Sequence, residues 1–134
     1  MDGVAWMIIM QGIPTLHILV VDDEPLVCET VKMLLMADGH KVETTTSGRE
    51  ALALLDKGTF DLITIDYAMP VMKGDELAAA IKARLPNQPI VIMSASAEML
   101  QSSRNPLVEA YCIVGKPFSP EDLREAIAKV LHHV

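Results

Sequence analysis

The chain alternates between short apolar runs of β type and longer stretches with helical periodicity. Leu16 to Val21 is apolar apart from His17, and Asp22-Asp23 follows it. Lys41 to Thr46 is β-branched and more polar, which suits an edge strand. Leu62 to Ile65 runs into Asp66, Ile90 to Met93 into Ser94, and Tyr111 to Val114 into Gly115-Lys116. Continuous apolar strands of this kind are buried on both faces, as in a parallel sheet.

Between these runs lie five helical patterns. Val27, Val31, Leu34 and Leu35 form an apolar stripe in the first, and Leu123, Ile127, Val130 and Leu131 form one in the last. Asp23 is placed to cap the first helix ahead of Pro25. Ser47 with Glu50, and Ser119 with Asp122 ahead of Pro120, read as capping boxes. Gly39 ends the first helix, and Pro86, Asn87 and Pro89 end the third. Pro106 interrupts the fourth pattern, which predicts a short helix over 97–103 and a turn restarting at Pro106. Alternating β and α elements with short connections predict an α/β fold with a doubly wound parallel sheet.

Composition narrows the function classes. A length of 134 residues corresponds to one domain. No run approaches the roughly 20 apolar residues that span a membrane. Ala5 to Met10 is too short for a secretory signal and lacks its positive start. Residues 1–14 are read as an extension, a tag or the remnant of a longer start, with the folded domain at 15–134. Eleven Lys and Arg stand against eighteen Asp and Glu, a formal net charge of −7, which repels nucleic acid. Cys28 and Cys112 sit among apolar neighbours, without zinc spacing. They read as small buried thiols of a reducing cytoplasm.

The candidate chemistry lies where the strands end. In open α/β sheets, sites form at the carboxyl ends of strands, near the switch in strand order. There the sequence puts Asp22-Asp23-Glu24, Asp66, Ser94 and Lys116. Each alone has an ordinary reading: a helix cap, a turn residue, a solvated Lys-Pro turn. Their joint occurrence, in order and at strand ends, is what the ordinary readings explain badly. Each pair of close carboxylates costs about 4 kcal/mol at about 4 Å and an effective dielectric of ~20, so a cation is needed. Oxygen-only ligands in a site open to phosphate oxygens favour Mg²⁺ over a closed Ca²⁺ cage.

At these residues the sequence resembles the receiver domain of bacterial two-component response regulators, over roughly residues 15–133. The strings are V-V-D-D-E-P (20–25), D-L-I-T-I-D-Y-A-M-P-V-M-K-G-D-E-L (61–77), I-V-I-M-S-A-S (90–96) and K-P-F-S-P-E-D-L (116–123). The separations Asp23 to Asp66, Asp66 to Ser94 and Ser94 to Lys116 are 43, 28 and 22 residues. The resemblance implies a flavodoxin-like (βα)5 sandwich with five parallel strands in the order 2-1-3-4-5. It implies Asp66 as phosphoacceptor and Asp22, Asp23, Asp66 and the backbone carbonyl of Ala68 around Mg²⁺. Ser94 and Lys116 would meet phosphoryl oxygens, and the Lys116–Pro117 bond would be cis.

The implied partners are a sensor histidine kinase or phosphotransfer protein and a downstream protein effector, with no direct nucleic acid and no membrane. The implied activity is limited to the protein's own phosphorylation and dephosphorylation. Three features depart from the family pattern. Ile113 holds the position three before the lysine, where an aromatic is usual, while Tyr111 lies two residues earlier. Pro106 falls in the fourth helical region, and Lys73 replaces a common Asp or Asn. Two other readings compete. One is a degenerate receiver that binds partners regardless of phosphorylation. The other is an aspartate-nucleophile phosphatase, which would need an acid two residues beyond its nucleophile, where this chain has Ala68.

Overall fold

A computed structural model describes residues 15–95 and 112–132. Its strands are β1 (His17–Val21), β2 (Lys41–Thr45), β3 (Leu62–Asp66), β4 (Ile90–Ser94) and β5 (Cys112–Gly115). The helices among the described residues are α1 (Pro25–Ala37), α2 (Gly48–Lys57), α3 (Gly74–Arg84) and α4 (Pro120–His132). All strand pairs are parallel and the sheet order is β2-β1-β3-β4-β5, the expected flavodoxin-like arrangement. The predicted helix at 97–103, the turn at Pro106, Tyr111 and residues 1–14 lie outside the described residues.

Strand alternation sorts side chains onto two faces. Ile18, Val20, Leu62, Val91, Met93 and Val114 join Cys28, Val31 and Leu35 of α1 and Leu123, Ala126 and Ile127 of α4 in one core. Leu19, Val21, Ile63, Ile65, Ile90 and Ile92 join Ala51 of α2 and Leu77, Ala78 and Ile81 of α3 in the other. Both faces of β1, β3 and β4 are therefore covered, and each fully buried Leu or Ile contributes about 1.5–3 kcal/mol. The polar β2 is an edge strand, with Lys41 and Glu43 exposed.

The helix ends mostly follow the sequence signals. Gly39, at φ +94°, terminates α1, and its N–H donates to the Met36 carbonyl. Ser119 and Asp122 form a reciprocal box: Asp122 N–H donates to Ser119 Oγ (3.1 Å) and Ser119 N–H to Asp122 Oδ2 (2.8 Å). The Ser47 box is only half formed. Ser47 Oγ accepts from Glu50 N–H (3.2 Å), but Ser47 N–H is taken by the Thr45 hydroxyl (3.4 Å), which leaves Glu50 no role there. Asp23 does not cap α1. The helix starts after Glu24, which makes no side-chain cap bond, and Glu24 N–H instead donates to Asp22 Oδ1 at 3.0 Å. The Asp23 carboxylate, free of a capping role, is left to the site.

Candidate functional site

The strand order creates the site. From β1 the chain goes outward to β2 on one side, while β3 lies on the other. The connections leaving β1 and β3 diverge and open a crevice at their carboxyl ends. Val21 is paired with Ile65, so Asp22 and Asp66 emerge side by side just beyond that pair. Asp66 is itself paired with Met93, and Ser94 with Gly115, so the end of β4 and the start of the Lys116 turn border the same crevice.

The carboxylates of Asp22, Asp23 and Asp66 each bring an oxygen within 4.8 Å of the others. Asp22 is fully buried and Asp66 is 5% exposed, whereas Asp23 is half-buried. Lys116 Nζ donates to Asp22 Oδ2 and Asp66 Oδ1, both at 2.9 Å. Three carboxylates facing one ammonium leave a formal charge of −2. Burial pushes the Asp66 carboxyl above its ordinary range, and the charges of Asp22 and Asp23 add to this, while the Lys116 hydrogen bond and charge oppose it without prevailing. For Lys116, burial works to lower the pKa. The hydrogen bonds and charges of Asp22 and Asp66 outweigh that and hold it above the usual lysine value.

This donor set fits a hard divalent cation. It is all oxygen, under-neutralised by its single lysine, and closed on the protein side but not toward Asp23. Ala68 lies in the exposed loop two residues after Asp66. Ser94 is buried at the end of β4, and its carbonyl accepts Lys116 N–H at 2.9 Å, so it borders the lysine through its backbone. The Lys116–Pro117 peptide is cis. Ile113 is half-buried against the core under α2 and α3.

Two residues that the chemistry-led reading passed over also shape the pocket. A Cβ at Gly74 would lie 2.5 Å from the Asp66 carbonyl oxygen and 2.7 Å from Tyr67 Cα, so only glycine lets α3 start this close to the Asp66 peptide. Its N–H donates to the Tyr67 carbonyl at 2.9 Å and closes the loop. The only sequence signal was a glycine inside the Met-Pro-Val-Met-Lys-Gly string. Cys28, read as an inert core thiol, is buried but its Sγ lies 3.2 Å from the Asp22 carbonyl. Burial raises its pKa, the Asp22 charge adds to that, and the thiol remains an S–H donor.

Comparison with known proteins agrees with this geometry. The family described as "Response regulator receiver domain" matches residues 18–128. Response regulator SaeR of Staphylococcus aureus (strain USA300) is 32% identical over 107 residues, which is 80% of this chain and 46% of SaeR. The chain thus spans about half the length of the curated relatives it matches. Among solved structures, the chemotaxis protein CheY4 of Vibrio cholerae superposes with a TM-score of 0.78 at 33% identity, over 87% of this chain and 98% of CheY4. The response regulator TrrA of Thermotoga maritima, solved in complex with Mg²⁺–BeF, gives a TM-score of 0.76 at 32% identity, over 85% of this chain and 97% of TrrA. No described helix is long and apolar enough to cross a membrane. With its sheet order, its strand-end carboxylates and these matches in agreement, the chain belongs to the response regulator receiver domains of two-component signal transduction.

Proposed function

We propose that this protein accepts a phosphoryl group on Asp66 from a histidine kinase or phosphotransfer protein and passes the signal on by protein contact. The observation that carries this reading is the pair of 2.9 Å contacts from Lys116 to Asp22 and Asp66, inside a three-carboxylate cluster. An Asp66 oxygen attacks phosphorus in line with the leaving imidazole. The P–O bond forms as the P–N bond breaks, the bonding pair stays on the ring nitrogen, and the ring leaves as neutral imidazole, keeping the proton already on its other nitrogen. Lys116, already on Asp66, is placed to follow the charge that spreads over the phosphoryl oxygens. Asp22 and Asp23, with Asp66 and the Ala68 carbonyl, would hold Mg²⁺, which supplies charge neutralisation at those oxygens when bound. The Ser94 hydroxyl meets the transferred group and biases an inactive–active equilibrium. The work is done in the cytoplasm, in contact with proteins and without nucleic acid.

One observation keeps the phosphorylation-independent binding module as a second reading. Ile113, in the position where an aromatic would couple the hydroxyl to the surface, is packed into the core under α2 and α3. The test is incubation with acetyl phosphate and Mg²⁺, followed by intact mass and peptide mapping. A single adduct on Asp66, lost in Asp66→Ala, is the expected result. No Asp66-dependent adduct sinks the proposal. Partner affinity that is the same with and without phosphodonor supports the binding module.

A further inference from the structure

We propose that the Cys28 thiol is a positioning residue for Asp22, holding the peptide that carries this carboxylate and thereby setting how tightly the acidic pocket takes a divalent cation. The inference rests on the reading of Asp22, Asp23 and Asp66 as a cation-binding set.

Cys28 lies in the first turn of α1, three per cent exposed, in the core shared by α1, α4 and the sheet. A polar side chain on a helix ordinarily bonds back to the carbonyl four residues earlier. For Cys28 that is Glu24, whose carbonyl is already occupied by the amides of Val27 and Cys28, both at 3.1 Å. The thiol reaches past the helix end instead, to the Asp22 carbonyl at 3.2 Å, with the Thr45 carbonyl further off at 3.7 Å. The Thr45 carbonyl is itself engaged by Asp22 N–H at 3.2 Å. Asp22 is therefore gripped at each of its polar groups: N–H by Thr45, carbonyl by Cys28, Oδ1 by Glu24 N–H and Oδ2 by Lys116.

Of these four anchors the thiol comes from a helix side chain, and it fixes α1 against the end of β1. Such outer contacts orient the groups that meet a metal, and their removal typically lowers metal affinity about 10–100-fold. A thiol is a weak donor, which places the effect at the lower end of that range. Cysteine also suits the position because it packs as a small apolar residue while still donating.

The full chain and its Cys28→Ser, Cys28→Ala and Cys28→Val variants are titrated with Mg²⁺ alone, following amide resonances of residues 22–24 by NMR. Hydrogen exchange of the Glu24 amide is measured in chelator. Serine keeps a donor and valine keeps the volume. We expect alanine and valine to weaken Mg²⁺ binding about 10-fold and to speed Glu24 exchange, with serine within about 2-fold of the parent. Parent-like affinity in the alanine and valine variants overturns the proposal, as does a serine variant as weak as alanine. If the parent protein binds no Mg²⁺, the cation-binding reading falls and takes the affinity claim with it. Glu24 exchange in chelator then still decides whether the thiol positions Asp22.

Discussion

The Asp22–Lys116–Asp66 cluster makes opposite substitutions act in opposite directions. Removing the ammonium with Lys116→Met leaves two buried carboxylates without their shared partner, a change that costs about 3 kcal/mol. Urea melts in chelator should show that loss, and Mg²⁺ should recover part of it by replacing the missing positive charge. Asp66→Asn should do the reverse. The folded-state pKa of Asp66 is raised, so the native state holds its proton to higher pH than the unfolded chain does, and at neutral pH ionisation works against folding. The asparagine variant should therefore melt higher than the parent in chelator while accepting no phosphate. A lower melting temperature would show that the Lys116 contact outweighs the burial cost. Thr64 offers a separate test, two residues before Asp66 on the same strand. Its buried hydroxyl has no hydrogen-bond partner among the described residues, so Thr64→Val should stabilise the fold by about 1 kcal/mol in denaturant titration. The residues whose placement was legible in the sequence are those at strand ends, because an apolar run that stops at a carboxylate announces where the carboxylate goes. Cys28 and Gly74 were not legible in that way. Their importance lies in what they approach, a carbonyl at the end of β1 and a peptide at the end of β3, and no local spacing encodes either contact.

At the scale of elements, every described strand falls within one residue of the run read for it, and for β1, β3 and β4 burial on both faces leaves little choice of register. Helix starts were harder. Ser119 and Asp122 form the expected box, but Asp23 caps nothing, because the neighbouring Asp22 reaches Glu24 N–H first and Pro25 has no N–H to offer. The turn between α1 and β2 carries a pH dependence. His40 is buried there, and its Nδ1 accepts the Leu16 N–H at 3.1 Å, tying the start of β2 to the residue before β1. Burial lowers its pKa below the usual 6.5, against a smaller opposing pull from Asp38. As pH falls, the unfolded chain takes up this proton before the folded one does. The His40 contribution is thus complete above about pH 6.5 and is lost as pH falls toward the folded-state value. The urea midpoint should drop between about pH 7.5 and about pH 5.5, and His40→Asn, which retains an acceptor but does not titrate, should remove part of that drop. An identical drop in the variant would assign the effect to groups other than His40.

Across the whole molecule, the pocket is assembled from β1, β3 and the turn after β5, so its members are distant in sequence: Lys116 is 94 positions from Asp22 and 50 from Asp66. A cation held there would tie together the ends of β1 and β3 at the centre of the sheet, and it would bind the folded chain with little affinity for the unfolded one. Mg²⁺ at about 100 times its Kd should then add about 2.7 kcal/mol to global stability. The net charge of −7 adds a second, general effect, because any cation relaxes the self-repulsion of so acidic a surface. Two controls separate the effects. Sodium chloride at matched ionic strength measures the general term, and Asp23→Asn removes a pocket carboxylate without touching the Lys116 pairs. A site-specific effect survives the first control and shrinks in the second. It should also move the slowest-exchanging amides of β1, β3 and β4 together, since the strands that carry the carboxylates are the core of both clusters. Stabilisation by Mg²⁺ that is equal in the parent and in Asp23→Asn would reduce the effect to charge screening and deny the three carboxylates a common ion.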